Sequence, residues 1–392
     1  MVILPYIHPA FDFLCAALRF ARGADSVDGL RMAAAAIDDW ELVVQGARTH
    51  RVLVALDTAL AVLPDAVRPR AIAETATQLR RAQAHAALAK AAQLAEICAA
   101  FANDGRRVLV LKGIPLALKL YGSIGARGVG DIDLLVAPAE FRAAASQLGA
   151  LGYLPVAGTL DAALPVGYEA KIREIVFRHP NRRGEIELHQ RFAANPLRLA
   201  TPFETLWATR ESVTIGGVEI ATLPIDMLGP YLCAHGADHC WERLIWLEDL
   251  VRLAETQGGT VSLLAQAHTQ GLERPMNLAL TLGAGWLGLE PPSDAASSPA
   301  AARFVHAFFP GEHALAPPPK TGFRALRRRW RYRRHLLTLK DDWRARAGEI
   351  RAVLEDPVDW NRVRLPRGLT WLHVLIRPFG VAIRALRDLR SR

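Results

Sequence analysis

Residues 129–136 read Val-Gly-Asp-Ile-Asp-Leu-Leu-Val, VGDIDLLV. The run is short and apolar, as a buried strand is, yet it carries two acids one residue apart. Side chains two positions apart share a face of a strand, so Asp131 and Asp133 point one way while Ile132 and Leu134 point into a core. Carboxylates roughly 6–7 Å apart on one face repel each other unless solvent or a cation stands between them. A divalent cation with hard oxygen ligands answers that repulsion. Plain surface acids answer it equally well, and spacing alone does not choose.

Upstream, the turn signal Asn103-Asp104-Gly105 leads into the β-branched run RVLVLKG (107–113) and the helical pattern IPLALKLYG (114–122). Pro115 suits the first turn of that helix. Unpaired N–H groups at such a start bind phosphate, and Gly113 lets a phosphate approach the main chain. Lys112 beside it either meets the phosphates as a point charge or bridges strand and helix. Arg127, in the glycine-rich SIGARGVG, is a second candidate phosphate ligand, or else an exposed loop arginine.

Downstream come a helical stretch, PAEFRAAASQLGALG (138–152), and two strand-like runs, EIVFRHP (174–180) and EIELHQRF (185–192). The Asn-Arg-Arg-Gly between the runs suits a hairpin. EIELHQ puts Glu185 and Glu187 on one face, and an adjacent antiparallel strand would bring one of them beside the aspartates. Three carboxylates hold two cations suited to an in-line phosphoryl or nucleotidyl displacement. The other reading is the charged outer face of an edge strand.

Around this unit the texture is helical, with apolar residues at helical spacing in 51–63, 86–101 and 226–257. The expected class is α+β: a small mixed-sheet core flanked by amino- and carboxy-terminal helical regions. Its expected divisions are a helical region 1–102, the core 103–224, a helical domain 225–316 and a basic, mostly helical tail 317–392. His235 and His239, four apart on a helix, suggest either zinc ligands with Cys233 or Asp238, or a polar-aromatic seam with Trp241, Trp246 and Asp249. HGADH offers no evident fourth ligand, which favours the seam. Glu248 and Asp249 are candidates for positioning an acceptor, and His189 reads as a structural residue.

The order LKG, Tyr121, Arg127, GDIDLLV, a helix, Gly152-Tyr153, IELHQ and HGADHCWERLIWLEDLVRL resembles the uncharacterised nucleotidyltransferase family within the DNA polymerase beta-like superfamily. The resemblance runs over nearly the whole chain, including DPVDWNRVRLPRGLTWLHVLIRPF near its end. It implies that Gly113 is the turn glycine over a triphosphate, that Asp131 and Asp133 bind Mg²⁺, and that Glu187 is the third carboxylate. Two Mg²⁺ ions, with Mn²⁺ as an alternative, would then serve transfer of a nucleoside monophosphate from an NTP, ATP in first place. Lys112, Gly113 and Arg127 become the nucleotide contacts. The acceptor is a hydroxyl or phosphate on a peptide or protein, a small molecule or an RNA end. The superfamily usually has Ser or a second Gly after the turn glycine, where this chain has Ile114, so Gly122-Ser123 also fits the triphosphate turn.

Composition narrows the remaining classes. With 51% hydrophobic and 22% charged residues over 392 positions, the chain is neither disordered nor fibrous. The amino terminus lacks a basic segment ahead of its apolar run, so no signal peptide is expected. The uncharged stretch 275–289 is only 15 residues long and holds three glycines, too short to span a bilayer. A cytoplasmic protein with reduced, buried cysteines is the expectation. Of the net charge of +9, residues 323–392 carry more than all, with 19 Arg or Lys against 7 Asp or Glu. Such a tail suits an anionic partner, whether RNA, an acidic protein or a membrane surface, or else is a solvated helix face. RALRRRWRYRRHLL, with Trp330 and Tyr332 between arginines, suits RNA through phosphate contacts and stacking. The alternative function is therefore an RNA-binding or RNA-modifying protein whose core is vestigial or acts on RNA ends. An amphipathic membrane helix at RPFGVAIRALRDLRSR ranks third.

Overall fold

A computed structural model of the chain describes residues 3–156, 172–193, 199–291, 299–317, 322–340 and 342–354, together with 365, 369, 372–377 and 380. In chain order its helices are α1 (Pro9–Ala21), α2 (Val27–Ala34), α3 (Trp40–His50), α4 (Leu53–Val62), α5 (Arg70–Asn103), α6 (Ile114–Tyr121), α7 (Phe141–Ala150) and α8 (Phe203–Ala208). They continue as α9 (Ile225–Asp238), α10 (Leu244–Thr256), α11 (Gly259–Thr269), α12 (Glu273–Leu287), α13 (Pro299–Phe308), α14 (Gly322–Thr338) and α15 (Trp343–Leu354). The strands are β1 (Leu109–Val110), β2 (Ile132–Leu135), β3 (Leu154–Pro155), β4 (Glu174–Arg178), β5 (Glu185–His189), β6 (Glu211–Ile215) and β7 (Val218–Thr222). The α+β expectation holds: a small mixed sheet with helical flanks. Most of the stretch RPFGVAIRALRDLRSR lies outside the described residues.

Contacts divide the chain into two compact units, each discontinuous in sequence. One unit comprises Met1–Ala89, Leu116–Val129 and Asp226–Pro318; the other comprises Lys90–Pro115, Gly130–Ile225 and Pro319–Arg392.

The first unit is helical, and short polar side chains start its helices where the sequence offers them. Ser26 Oγ accepts from Gly29 N at 3.1 Å to open α2, and Asp39 Oδ1 accepts from Leu42 N at 2.9 Å to open α3. α1 packs on α2, α3, α4 and α12, while α10, α11 and α12 pack on one another. Its core is aromatic: the Phe11 ring lies 5.5 Å from His50, 5.1 Å from Trp286 and 5.8 Å from Phe309, each edge-on. His50 is fully buried and doubly bonded, with Nε2 2.9 Å from Ala314 O and Nδ1 3.2 Å from Leu244 N, the first amide of α10. Nδ1 therefore accepts and Nε2 donates, so a distant histidine caps a helix that lacks a capping side chain of its own.

The second unit carries the sheet, whose seven described strands run in the order β3-β4-β5-β2-β1-β7-β6. The 174–192 hairpin forms as its turn chemistry requires, with β4 and β5 antiparallel and Val176 opposite Glu187. β5 then lies against β2, but parallel rather than antiparallel, pairing Ile132 with Ile186, Asp133 with Glu187, and Leu135 with His189. The cause is connectivity: α7 and β3 intervene between β2 and β4, and the hairpin reverses direction once more before β5. A second hairpin, β6–β7, turns through Gly216 and Gly217, whose φ angles of +58° and +80° match a turn that only glycine and a few polar residues enter freely. It lies outside the elements identified above from patterning, although the Gly-Gly signal is present in the sequence. One face of the sheet is apolar, with Ile132, Leu134, Ile175, Phe177, Ile186 and Leu188 all buried. α7 packs on β3 and β5.

All four cysteines are buried and unbridged, as expected. Among the described residues no helix is long and apolar enough to cross a membrane.

Candidate active site

The alternation that buries Ile132 and Leu134 turns Asp133 to the other face of the sheet, and the in-register pairing of β2 with β5 sets Glu187 directly beside it. His189, two residues on, shares that face. From β4, Glu174 stands opposite His189 across the hairpin. Three of these side chains converge: one oxygen each from Asp133 and Glu187 and a ring nitrogen of His189 all lie within 4.8 Å of one another.

His189 is the centre of the cluster and is 4% exposed. Its Nε2 lies 3.6 Å from Asp133 Oδ1 and 3.5 Å from Glu187 Oε2, and its Nδ1 lies 3.1 Å from Glu174 Oε2. These contacts are within ion-pair range, yet among the described residues neither ring nitrogen makes an aligned hydrogen bond. Burial by itself depresses the imidazolium, but the three surrounding carboxylates outweigh it and raise the His189 pKa to about 10. Burial alone would likewise raise Asp133 and Glu174. The Lys112 ammonium and His189 instead hold Asp133 far below the usual carboxylate range, and His189 with Arg173 lowers Glu174 to about 2. For Glu187 the balance tips the other way: burial and the neighbouring Asp133 charge raise it, although His189 opposes them.

Lys112 sits at the end of the segment that follows β1. It is buried and bonds Asp133, and its Nζ lies 3.4 Å from Asp131 Oδ2. Burial opposes its charge, but Asp133, Asp131 and Glu187 outweigh that and raise its pKa. The cation that relieves the two aspartates in this structure is thus an ammonium group. Asp131 precedes β2, is partly exposed, and meets the cluster through Lys112. The loop ahead of it is anchored by α5, where Lys90 Nζ donates to Gly130 O.

Gly113 turns the chain from Lys112 into α6 with φ +83°, a left-handed backbone that a Cβ would strain. Gly122, at φ +72°, follows α6 rather than opening it.

The remaining candidates lie in the helical unit. Arg127 is buried and clasps Asp249 with two bonds, Nε to Oδ1 at 2.8 Å and an Nη to Oδ2 at 2.6 Å, and Tyr121 Oη donates to the same Oδ1 at 2.7 Å. Burial and the Asp249 charge hold the Tyr121 hydroxyl well above its ordinary pKa. Glu248 is fully buried between Arg22 and Arg252, with Arg252 Nε 2.7 Å from its Oε1. His235 and His239 form the aromatic seam: their rings are 4.8 Å apart and lie 5.2 Å and 5.1 Å from Trp246.

The donor set fits a divalent cation. It combines two carboxylates and a buried imidazole whose nitrogens have no aligned partner, on one rigid sheet face. Glu174 was not singled out in the sequence, and His189 was read there as structural. The signal for them was present: EIELH puts His189 on the face of Glu187, and a hairpin with this turn puts Glu174 opposite His189.

An acid-bearing strand beside a hairpin glutamate in a mixed sheet with helical flanks is the arrangement expected of a nucleotidyltransferase-like protein. The sequence profile of the family described as uncharacterised nucleotidyltransferase matches residues 37–288, well over half of the chain, and the chain belongs to that family. No curated protein matches it in sequence. Among solved structures, an antigenic nucleotidyltransferase-like protein from Paracoccidioides brasiliensis is similar over 53% of this chain and 95% of its own, at 13% identity and a TM-score of 0.31.

Proposed function

We propose that the protein is a divalent-cation-dependent nucleotidyltransferase, using Mg²⁺ or Mn²⁺ to move a nucleoside monophosphate from an NTP, ATP first, to a hydroxyl or phosphate acceptor. The observation that carries this reading is the in-register pairing of Asp133 with Glu187, which sets two carboxylates side by side around a buried imidazole. Asp131, Asp133 and Glu187 are the carboxylates that would hold the cations. Bound there, divalent cations stabilise charge on the transferring phosphoryl group and lower the pKa of the attacking hydroxyl. The chain's own contribution is positional. The sheet fixes the two carboxylates on adjacent strands, and the Gly113 turn opens α6, whose first amides other than that of Pro115 would meet a phosphate. Lys112 pairs with Asp131 and Asp133, and with cation and NTP bound it would meet a phosphate oxygen as a point charge.

The test is incubation of the purified chain with α-labelled NTPs and Mg²⁺ or Mn²⁺, with and without cell extract, following label into protein, RNA or small molecules. Wild type should consume NTP and label one class of acceptor, and Asp133→Asn and Glu187→Gln should fall to background. Equal labelling by folded Asp133→Asn would sink the reading.

A second reading has its own observation. On the basic α14, Trp330 is 65% exposed with Arg334 5.4 Å from its ring centroid. An exposed aromatic among arginines suits stacking and phosphate contact with RNA. Truncation after residue 317 should then abolish RNA retention while leaving labelling intact.

A further inference from the structure

We propose that the buried cation site is a mixed nitrogen–oxygen centre, formed by Asp133, Glu187 and the Nε2 of His189, with Glu174 as the carboxylate that orients the ring. This deepens the reading of the sheet face as a nucleotidyltransferase centre and rests on it. It assigns the site to a first-row transition-metal dication in preference to Mg²⁺.

Three features of the geometry lead there. First, His189 Nε2 faces two carboxylate oxygens at 3.5 Å and 3.6 Å, longer than good hydrogen bonds to either. Those spacings are close to the edges of a coordination polyhedron whose bonds are about 2.0–2.2 Å long. Second, the ring is 4% exposed and among the described residues Nε2 has no aligned hydrogen-bond partner, a costly state for a polar group that cannot reach water. An ion seated among Nε2, Asp133 and Glu187 supplies the missing partner and takes the place of the Nε2 proton.

Third, Glu174 Oε2 lies 3.1 Å from Nδ1, on the far side of the ring from Asp133 and Glu187. A metal-binding histidine almost always gives its other N–H to a carboxylate or carbonyl, which fixes the tautomer and the ring plane. Arg173 pairs with Glu174 in turn. The orienting chain therefore runs Arg173, Glu174, His189, ion, all held by the β4–β5 ladder. Carboxylates alone suit Mg²⁺, whereas an imidazole shifts preference toward first-row transition dications, of which Mn²⁺ is the paramagnetic probe.

The experiment reads the ion directly and needs no turnover. The full chain is titrated with Mn²⁺, free ion is counted by electron paramagnetic resonance, and the bound ion is examined by electron spin-echo modulation for ¹⁴N coupling from an imidazole. Wild type should bind Mn²⁺ with imidazole ¹⁴N modulation. His189→Gln, which offers an amide oxygen, should lose that modulation and lower the ratio of Mn²⁺ to Mg²⁺ affinity. Glu174→Gln should keep the modulation and bind roughly 10–100-fold more weakly. Near-UV circular dichroism of each variant reports folding; if His189→Gln does not fold, the wild-type spectrum and Glu174→Gln still decide. Failure to bind Mn²⁺, Mn²⁺ bound without ¹⁴N modulation, or unchanged affinity in folded Glu174→Gln would overturn the assignment. NTP transfer by a protein whose Mn²⁺ shows no ¹⁴N coupling would remove the nitrogen ligand alone. Imidazole-bound Mn²⁺ without any transfer would remove the proposed activity alone.

Discussion

Arg127 was a candidate phosphate ligand on sequence, and the structure gives it a buried partner instead, so replacing either member of the Arg127–Asp249 pair separates the two roles. Both side chains are almost wholly out of water, at 4% and 0% exposure, and the two bonds are short and parallel. Solvent screening is therefore slight, and removing one partner takes the opposite charge away from the other in the interior. The cost of breaking such a pair is about 3–5 kcal/mol, far above the roughly 0–1 kcal/mol of an exposed pair. Asp249→Asn keeps the shape and an acceptor for Tyr121 but removes the charge that Arg127 needs. Arg127→Met takes the guanidinium from Asp249 and leaves it the Tyr121 hydroxyl. At about 2–4 °C per kcal/mol for a unit of this size, each single change should lower the Tm by on the order of 10 °C. In a double-mutant cycle, Arg127→Met with Asp249→Asn should cost about 2–3 kcal/mol less than the sum of the singles. Calorimetry and urea melts measure both quantities, and fluorescence titration with an NTP measures the competing role. Single variants within about 0.5 kcal/mol of wild type would refute the argument. So would an Arg127→Met protein that melts normally yet binds NTP more weakly, since Arg127 would then be reading phosphate.

Two further outcomes follow from buried titratable groups. Lys112→Met removes the ammonium from between Asp131 and Asp133, so the protein should lose about 3–5 kcal/mol in a chelator, with part of the loss restored by Mn²⁺ or Mg²⁺; an equal loss with and without cation would count against Lys112 as the stand-in cation. His50, pushed down to about 4 by burial, stays neutral while the unfolded chain takes up a proton near 6.5. Its contribution is complete above pH 6.5 and is lost as pH falls from 6.5 toward 4, by at most roughly 3 kcal/mol. The gap between denaturant melts at pH 7 and pH 5 should narrow in His50→Gln, and an unaltered pH dependence would exclude His50 as a source.

Much of the core is legible because it rests on local rules. The alternation in VGDIDLLV, the Asn-Arg-Arg-Gly turn and the paired acids of EIELHQ are short-range patterns, and β2, β4 and β5 follow from them. The Gly216-Gly217 turn is as plain a signal, and β6 and β7 obey it. His189 is the opposite case: one histidine after a leucine carries no local mark of whether its ring is satisfied. Arg127 is another, since a loop arginine looks the same whether its partner is a phosphate or an aspartate 122 residues away.

The sequence by itself determined which residues share a face, because strand and helix periods are properties of the backbone and need no partner. Only the tertiary structure decided which faces meet. The parallel register of β2 with β5 sets Asp133 against Glu187, the hairpin ladder brings Glu174 to His189, and the folding of the helical unit gives Arg127 to Asp249. Those choices are set by long-range packing and by the cost of leaving a charge unpaired in the interior, and neither is written in any short stretch of the chain.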